Sequence, residues 1–172
     1  LATDLAYPLS YTFTMVMNPW TLAANDRFVQ GAAPVAGGSI HKMWGVLSIG
    51  TTGALNYYFG DNTNYSSGST EISIVAAKAW HVVTLKYTAG DNACEIWVNG
   101  VAATITPGVV NSTAAGGDGT SSFKIGRAGA VAGGTFPYFH GLMGDWYFWN
   151  SALGDADRGI VETALMTAYG IS

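Results

Sequence analysis

Apolar and polar positions alternate in short runs along most of this chain, and the runs are bounded by turn residues. Tyr11-Thr12-Phe13-Thr14-Met15-Val16-Met17 sets aromatic and Met side chains against Thr and Val, the composition of a half-buried strand. Residues 43–49 predict a strand that stops at Gly50. Thr51-Thr52-Gly53 is a turn, and residues 54–59 return as its hairpin partner. Residues 71–75 predict a short strand. Residues 80–87 predict a longer one, with His81, Val83, Leu85 and Tyr87 on one face. In the run 94–98, Cys94, Ile96 and Val98 point inward. Asn99-Gly100 is the strongest turn signal in the chain, since both residues tolerate positive φ, and residues 101–105 are the partner strand. Residues 123–127 and 142–150 complete the set.

One helix is predicted near the C-terminus. Gly154 stands at its N-cap, and Asp155 and Asp157 fall in the first turn, where the helix dipole favours anions. Ile160, Val161, Ala164, Leu165 and Ala168 form an apolar stripe, and Gly170 is the stop. Segments 112–122 and 128–135 are rich in Gly, Ala, Ser and Thr. They are loops within one domain rather than linkers, because strand patterning resumes on both sides. Nine or ten strands and a closing helix predict an all-β antiparallel sandwich, or jelly roll, spanning 1–172 as a single domain.

Three segments, 80–100, 123–127 and 141–153, in this order, resemble the laminin G-like branch of the concanavalin A-like lectin and glucanase superfamily. Trp80-His81-Val82-Val83-Thr84-Leu85-Lys86-Tyr87 is similar to its Trp-His strand, and Glu95-Ile96-Trp97-Val98-Asn99-Gly100 to its aromatic-Val-Asn-Gly hairpin. Phe123-Lys124-Ile125-Gly126-Arg127 is similar to its Ile-Gly-Arg strand. The segment from Gly141 to Leu153, with the helix ending Tyr169-Gly170-Ile171, resembles its terminal strand. The likeness covers residues 80–171; residues 1–79 fit only as generic strands. Gly144 departs from the pattern, since an acidic residue often stands there and here Asp145 comes next. The resemblance implies the fold. It leaves function to be argued from sites, because this fold carries lectins, adhesion modules, glycosidases and viral surface proteins.

Composition narrows the classes. Charged residues are 10% of the chain, against about 25% in ordinary domains, while apolar residues are 49%. Disorder is excluded and the surface is unusually neutral. Seven Lys and Arg against eleven Asp and Glu leave a net charge of −4 with no basic run, which argues against a nucleic-acid partner. No apolar run reaches the roughly 18 residues of a membrane helix, so membrane insertion is not expected. One cysteine, Cys94, excludes an intrachain disulfide and an all-Cys zinc site. The chain starts at Leu1, which suggests processing or a piece of something longer.

Catalytic constellations are missing from the pattern. β-Glucan hydrolases of the resembled fold carry carboxylates two apart on one strand, about 5 to 5.5 Å from each other in retaining enzymes. The two-apart acidic pair here, Asp155 and Asp157, starts a helix, and Glu95 and Asp145 stand alone on their strands. Of the histidines, His81 reads as a packed core residue, and His41 and His140 lie near loops. Cys94 reads as an inert buried thiol. No nucleophile elbow and no phosphate-binding glycine loop occur. The chain is therefore not expected to be an enzyme, and a glycoside hydrolase is the weakest reading.

Binding chemistry is better represented. Tyr57, Tyr58 and Tyr65 cluster around the 54–59 hairpin strand and the loop after it, and strand phase turns Trp97, Tyr147 and Trp149 outward. Sugars stack their C–H faces on such rings beside amides and carboxylates. The same rings could instead be covered by loops or the C-terminal helix, or by neighbouring protein subunits. Asp61, Asn62 and Asn64 form the best oxygen cluster for Ca²⁺, which many relatives of the resembled family bind. Capping of turns by the same side chains is the alternative. The favoured expectation is a non-catalytic module recognising a glycan or cell-surface receptor, at an extracellular or virion surface. The alternative is a structural, decoration or tail-fibre domain of a phage or virus particle acting through protein contacts.

Overall fold

The computed structural model describes residues 10–22, 26–32, 43–60, 65–88, 90–91, 94–110, 122–126 and 139–172. Among the described residues eleven strands and one helix follow one another: β1 Tyr11–Pro19, β2 Asp26–Ala32, β3 Met43–Ile49, β4 Leu55–Gly60, β5 Tyr65–Thr70, β6 His81–Tyr87, β7 Glu95–Val98, β8 Val101–Ala102, β9 Ile105–Val110, β10 Ser122–Ile125, β11 Gly141–Trp149 and α1 Asp155–Tyr169. They form a five-stranded sheet, in the order β11-β1-β6-β7-β8, and a six-stranded sheet, in the order β10-β2-β3-β4-β5-β9. Neighbouring strands pair antiparallel throughout. This is the sandwich that the alternation predicts.

The inner faces meet in one core. Tyr11, Phe13, Met15, Val83, Leu85, Tyr87, Ile96 and Val98 come from the smaller sheet; Ile49, Leu55, Tyr57 and Phe59 come from the larger. The phases of β6 and β7 are as the sequence indicates, with His81 and Cys94 also buried. Burial pushes the Cys94 thiol well above its ordinary range, which fits an inert side chain.

Four elements differ from the sequence reading. β2 and β5 do not stand out in the sequence; Tyr65-Ser66-Ser67-Gly68-Ser69-Thr70 shows no apolar alternation because neither face of β5 is strongly apolar. Residues 71–75 are not a strand. They begin a strap between the sheets, tied to the β3–β4 turn by Ser73 N–H to Thr52 O (2.8 Å) and Val75 N–H to Gly53 O (3.0 Å). Residues 101–105 are not one strand either. β8 ends after two residues and the chain crosses to β9 in the other sheet.

The helix is in place, but its buried face is not the expected stripe. Glu162 and Leu165 are its buried residues, whereas Ile160 is 69% exposed and Ala164 and Ala168 are also exposed. α1 lies on the outer face of the five-stranded sheet, where Leu165 meets Val16 and Val82 with Val161, Met166 and Tyr169 around them. Arg158 reaches Glu162 Oε2 across one helical turn, and its guanidinium carbon stands 4.1 Å from the centre of the Trp97 ring. At the far end Tyr169 packs on Trp80 (5.1 Å between ring centres), and its hydroxyl accepts from Asp145 N–H at 3.0 Å. β11 carries one extra residue against β1 here, since Met15 pairs with Trp146 and Met17 with Met143. A Cβ on Gly144 would collide with the Tyr169 hydroxyl. The departure at Gly144–Asp145 is therefore a bulge that seats the helix. Gly170, at φ 63°, ends it, and Ile171 N–H returns to Met166 O at 2.9 Å.

Two predictions follow from this packing. Arg158→Ala leaves the buried Glu162 carboxylate unpaired, so it should cost about 3–5 kcal/mol; Arg158→Met with Glu162→Leu should recover most of that, read by urea unfolding. His81 supplies the second. Its Nε2 lies 3.1 Å from the donating Ala76 amide, its Nδ1 is buried with no partner among the described residues, and burial lowers its pKa below the ordinary 6.5. The folded state thus binds fewer protons than the unfolded one below pH 6.5. The stabilisation is full above that value and declines as pH falls toward the lower folded-state pKa. Urea midpoints measured from pH 7.5 to 5 should show this decline, and His81→Gln should remove that component.

Candidate functional site

Strict alternation along β4 sends Leu55, Tyr57 and Phe59 into the core and leaves Asn56 and Tyr58 on the outer face of the six-stranded sheet. On β5, Ser66 and Thr70 are buried while Ser67 and Ser69 are partly exposed. Register then assembles polar rows across the sheet. Ser48, Asn56, Ser69 and Thr106 stand opposite one another on β3, β4, β5 and β9, and Tyr58 stands opposite Ser67. Asn56, Tyr58, Ser67, Ser69, Thr106 and Gly108 line a shallow open depression of about 250 Å³. Its described lining holds an amide, a phenol and aliphatic hydroxyls, with no charged side chain.

Two glycines shape this surface. A Cβ on Gly68 would lie 2.7 Å from the Tyr57 ring, so the glycine lets that ring pass beneath β5. A Cβ on Gly108 would lie 3.0 Å from Ser67 Oγ, so the glycine leaves room for the hydroxyl at the rim. The floor is fixed from below. Thr70 Oγ1 accepts from Leu55 N–H at 2.9 Å, and the Tyr57 and Phe59 rings lie nearly parallel under the sheet (12° between planes).

The aromatic residues singled out from the sequence fall in separate places. Tyr58 is in the depression. Tyr57 is 1% exposed in the core, and its hydroxyl is pushed up to about 12, first by burial and then by Cys94. It presents nothing to a ligand. Tyr65 opens β5 opposite Gly60. Trp97 does lie on the outer face of its sheet, yet it is only 7% exposed, because Arg158 covers one part of the ring and Lys86 Nζ stands 5.1 Å from its centre. The helix therefore claims Trp97 for packing. Tyr147 and Trp149 are on the outer face of β11, 5.8 Å apart between ring centres, and Tyr147 is 44% exposed. They are on the opposite sheet from Tyr58.

Asp61, Asn62 and Asn64, expected as calcium ligands, lie outside the described residues, as does His41. Among the described residues no group of three His, Cys, Asp or Glu gathers as a metal site would need. The two isolated strand carboxylates do not face each other over a cleft. Glu95 is held by Lys86 Nζ at 2.8 Å, and Asp145 accepts from the Tyr169 hydroxyl at 3.3 Å. No helix among the described residues is long and apolar enough to cross a membrane.

Asn56, Ser67, Ser69 and Thr106 do not feature in the sequence reading. The alternation of residues 54–59 already separates Asn56 and Tyr58 from Tyr57. Nothing in the sequence, however, shows that β5 and β9 would flank them.

Comparison with known proteins gives structures but no relatives by sequence. No family model matches the chain, and no curated protein matches it. The carbohydrate-binding module (CBM40) of a Ruminococcus gnavus sialidase, solved with α2,3 sialyllactose, is similar with a TM-score of 0.70 at 13% identity. The match covers 92% of this chain and 84% of that one. A native heptameric SAP-like pentraxin from Limulus polyphemus gives 0.64 at 17% identity, over 92% and 71%. A carbohydrate-binding protein from Bacteroides ovatus, described as such only provisionally, gives 0.60 at 19%, over 92% of this chain and 42% of that one.

Substitution separates the two aromatic roles. Trp97→Ala should destabilise the fold by about 3–5 kcal/mol, read by thermal unfolding, because it empties the space under Arg158. Gly108→Val should leave the fold intact and fill the depression, which a crystal structure of the variant would show. In fold, this chain is a jelly-roll β-sandwich, the architecture of these carbohydrate-binding and pentraxin domains.

Proposed function

We propose that this domain is a non-catalytic glycan-recognition module and that sugar binds in the depression on the outer face of the six-stranded sheet. One observation carries the reading: Asn56, Ser67, Ser69, Thr106 and the phenol of Tyr58 converge on one open surface of about 250 Å³, held by strands rather than loops. A pyranose offers the complement of that surface. Its hydroxyls both donate and accept, as the amide and hydroxyls here do, and its C–H face suits the face of an aromatic ring, which carries partial negative charge. Rigid strands also keep the ordering cost of such a site low. The fold shared with a module solved with sialyllactose supports this reading. Membership of the laminin G-like branch, display on an extracellular or particle surface, and calcium in the Asp61–Asn64 segment belong to the same proposal.

A second reading rests on the other sheet. Tyr147 is exposed on the outer face of β11, beside Trp149, and Leu142 is exposed nearer the start of the strand. In so neutral a chain such a surface suits contact with a neighbouring subunit, as in a structural domain of a phage or virus particle.

A glycan array run with calcium and again with a chelator tests the first reading. A defined class of glycan should bind, and Tyr58→Ala with Asn56→Ala should abolish binding without changing the thermal midpoint by more than a few degrees. Loss of binding with the chelator would place calcium in the site. Binding that survives the double variant but fails in Tyr147→Ser with Trp149→Ser would move the site to β11. A folded sample that binds no glycan, and whose oligomeric state changes with the β11 variant, would favour the assembly reading.

A further inference from the structure

We infer that the depression takes a neutral sugar presenting a pair of adjacent hydroxyls, and that Glu71 at its rim selects against anionic sugars. The inference rests on the glycan reading above and names the ligand class of the same face. It starts from how β5 ends. Ser67 and Ser69 are partly exposed while Ser66, Gly68 and Thr70 are buried, so the next residue in the outward phase is Glu71, and it is exposed. The chain is still in register with β9 there. Thr70 is opposite Ile105, and Glu71 N–H donates to Thr104 O at 3.2 Å, which carries the ladder one residue past β5. Thr70 Oγ1 donates to Glu71 O at 3.1 Å, so the backbone is held on both sides. Two residues along a strand span about 6.8 Å, which sets Glu71 beyond Ser69 at the end of the depression.

The rest of this surface is uncharged. The described lining of the depression holds no ionisable carboxylate or base. On the β3 side the open surface ends at Ser48, which is 1% exposed although it is opposite Asn56. The bases whose side chains are described lie elsewhere. Lys86 and Arg158 are paired with Glu95 and Glu162 on the other sheet and its helix, and Lys78 N–H bonds Pro19 O at the end of β1. Glu71 is therefore the one charge among the described side chains of this face. Among the described residues its carboxylate has no hydrogen-bond or ion-pair partner, and neither have the Asn56 amide and the Ser69 and Thr106 hydroxyls.

An ionised carboxylate only accepts hydrogen bonds. Its two oxygens take two O–H donors side by side, as adjacent ring hydroxyls offer, and bonds to an ionised group are about twice as strong as neutral ones. The Asn56 amide and the serine and threonine hydroxyls supply the donors that the sugar's own oxygens need. A sugar bearing a carboxylate or sulfate meets the reverse situation. Its charge would sit within roughly one Debye length of Glu71, on a face where no described cation offsets the repulsion.

The glycan array reads the class directly: its bound members should be neutral. Isothermal titration of the intact domain then compares lactose, mannotetraose and cellotetraose with α2,3 sialyllactose and a sulfated lactose. The tightest neutral probe should bind about tenfold tighter than either anion at about 20 mM NaCl, and the gap should narrow toward about 500 mM as the repulsion is screened. Glu71→Gln keeps the size of the side chain and one acceptor oxygen. It should weaken the neutral probe about three- to tenfold, strengthen the anions, and bring their ratio to about one. A merely structural role for Glu71 would weaken both kinds of probe alike. The salt titration on the unaltered protein does not depend on how the variant folds. An array class made of sialylated or sulfated glycans, an anion that binds as tightly as the neutral probes at low salt, or a ratio unchanged in Glu71→Gln would overturn the inference and leave glycan recognition standing. Failure of every glycan on the array would instead remove the glycan reading itself.

Discussion

Four aromatic rings between the sheets hold this domain together. Tyr87 lies 4.7 Å from Phe59 and 5.5 Å from Tyr11, and Phe59 lies 6.1 Å from Tyr57, so the cluster runs from β1 and β6 of one sheet to β4 of the other. Aromatic side chains bury more surface than any others, and tilted or offset pairs add to that burial. Two of the rings carry hydroxyls. Tyr11 and Tyr57 both sit near Cys94, and burial raises the pKa of each. The cost of burying those oxygens is offset by the apolar area that comes with them. Once β4 is fixed inward through Leu55, Tyr57 and Phe59, Asn56 and Tyr58 must face out. The candidate binding surface is in this sense the reverse side of the core.

The helix solves a different problem. A five-stranded sheet with Val16, Val82 and Trp97 on its outer face cannot leave them in water without inviting association. α1 covers them with a polar as well as an apolar contact. Leu165 supplies the apolar part, and Arg158 with Glu162 lays a paired charge over the Trp97 ring. Buried ion pairs of this kind contribute little net stability compared with apolar residues of the same shape, and their best-attested use is to specify one arrangement. Here the arrangement specified is the rotation of α1 about its axis. The bulge at Gly144 and Asp145 receives Tyr169 and fixes the other end. Among the described residues no helix covers the six-stranded sheet, and Asn56, Tyr58, Ser67 and Ser69 stay partly exposed there, although Ser48 in the same row is buried.

The two aromatic-rich regions of the sequence thus have different fates. Tyr57 and Trp97 are structural: one lies under a strand and the other under a helix. Tyr58 is left in a setting of hydroxyls and an amide, which is where an aromatic ring can contribute to sugar recognition rather than to packing. Tyr147 is exposed and Trp149 partly so, and the threonines opposite them, Thr14 and Thr12, already spend their hydroxyls on Thr84 and on the Ser151–Leu153 backbone, which fits contact with a protein better than a sugar site.

Period-two alternation was enough, from the sequence, to define a sandwich and the inward faces of β1, β6 and β7, while turn chemistry marked Asn99-Gly100 and the Gly and Asp signals marked the closing helix. These depend on local patterning, and each strand carries its own record of which face is buried. β5 left no such record, because Ser, Gly and Thr are compatible with either face. The helix stripe pointed the wrong way because Glu162, buried by pairing with Arg158, looks solvent-facing in a sequence. Only the tertiary structure brought Asn56, Ser67, Ser69, Thr106 and Tyr58 onto one surface. β4 and β5 are consecutive, but β9 returns to pair with β5 after three strands of the other sheet, a choice of edge that no single segment encodes.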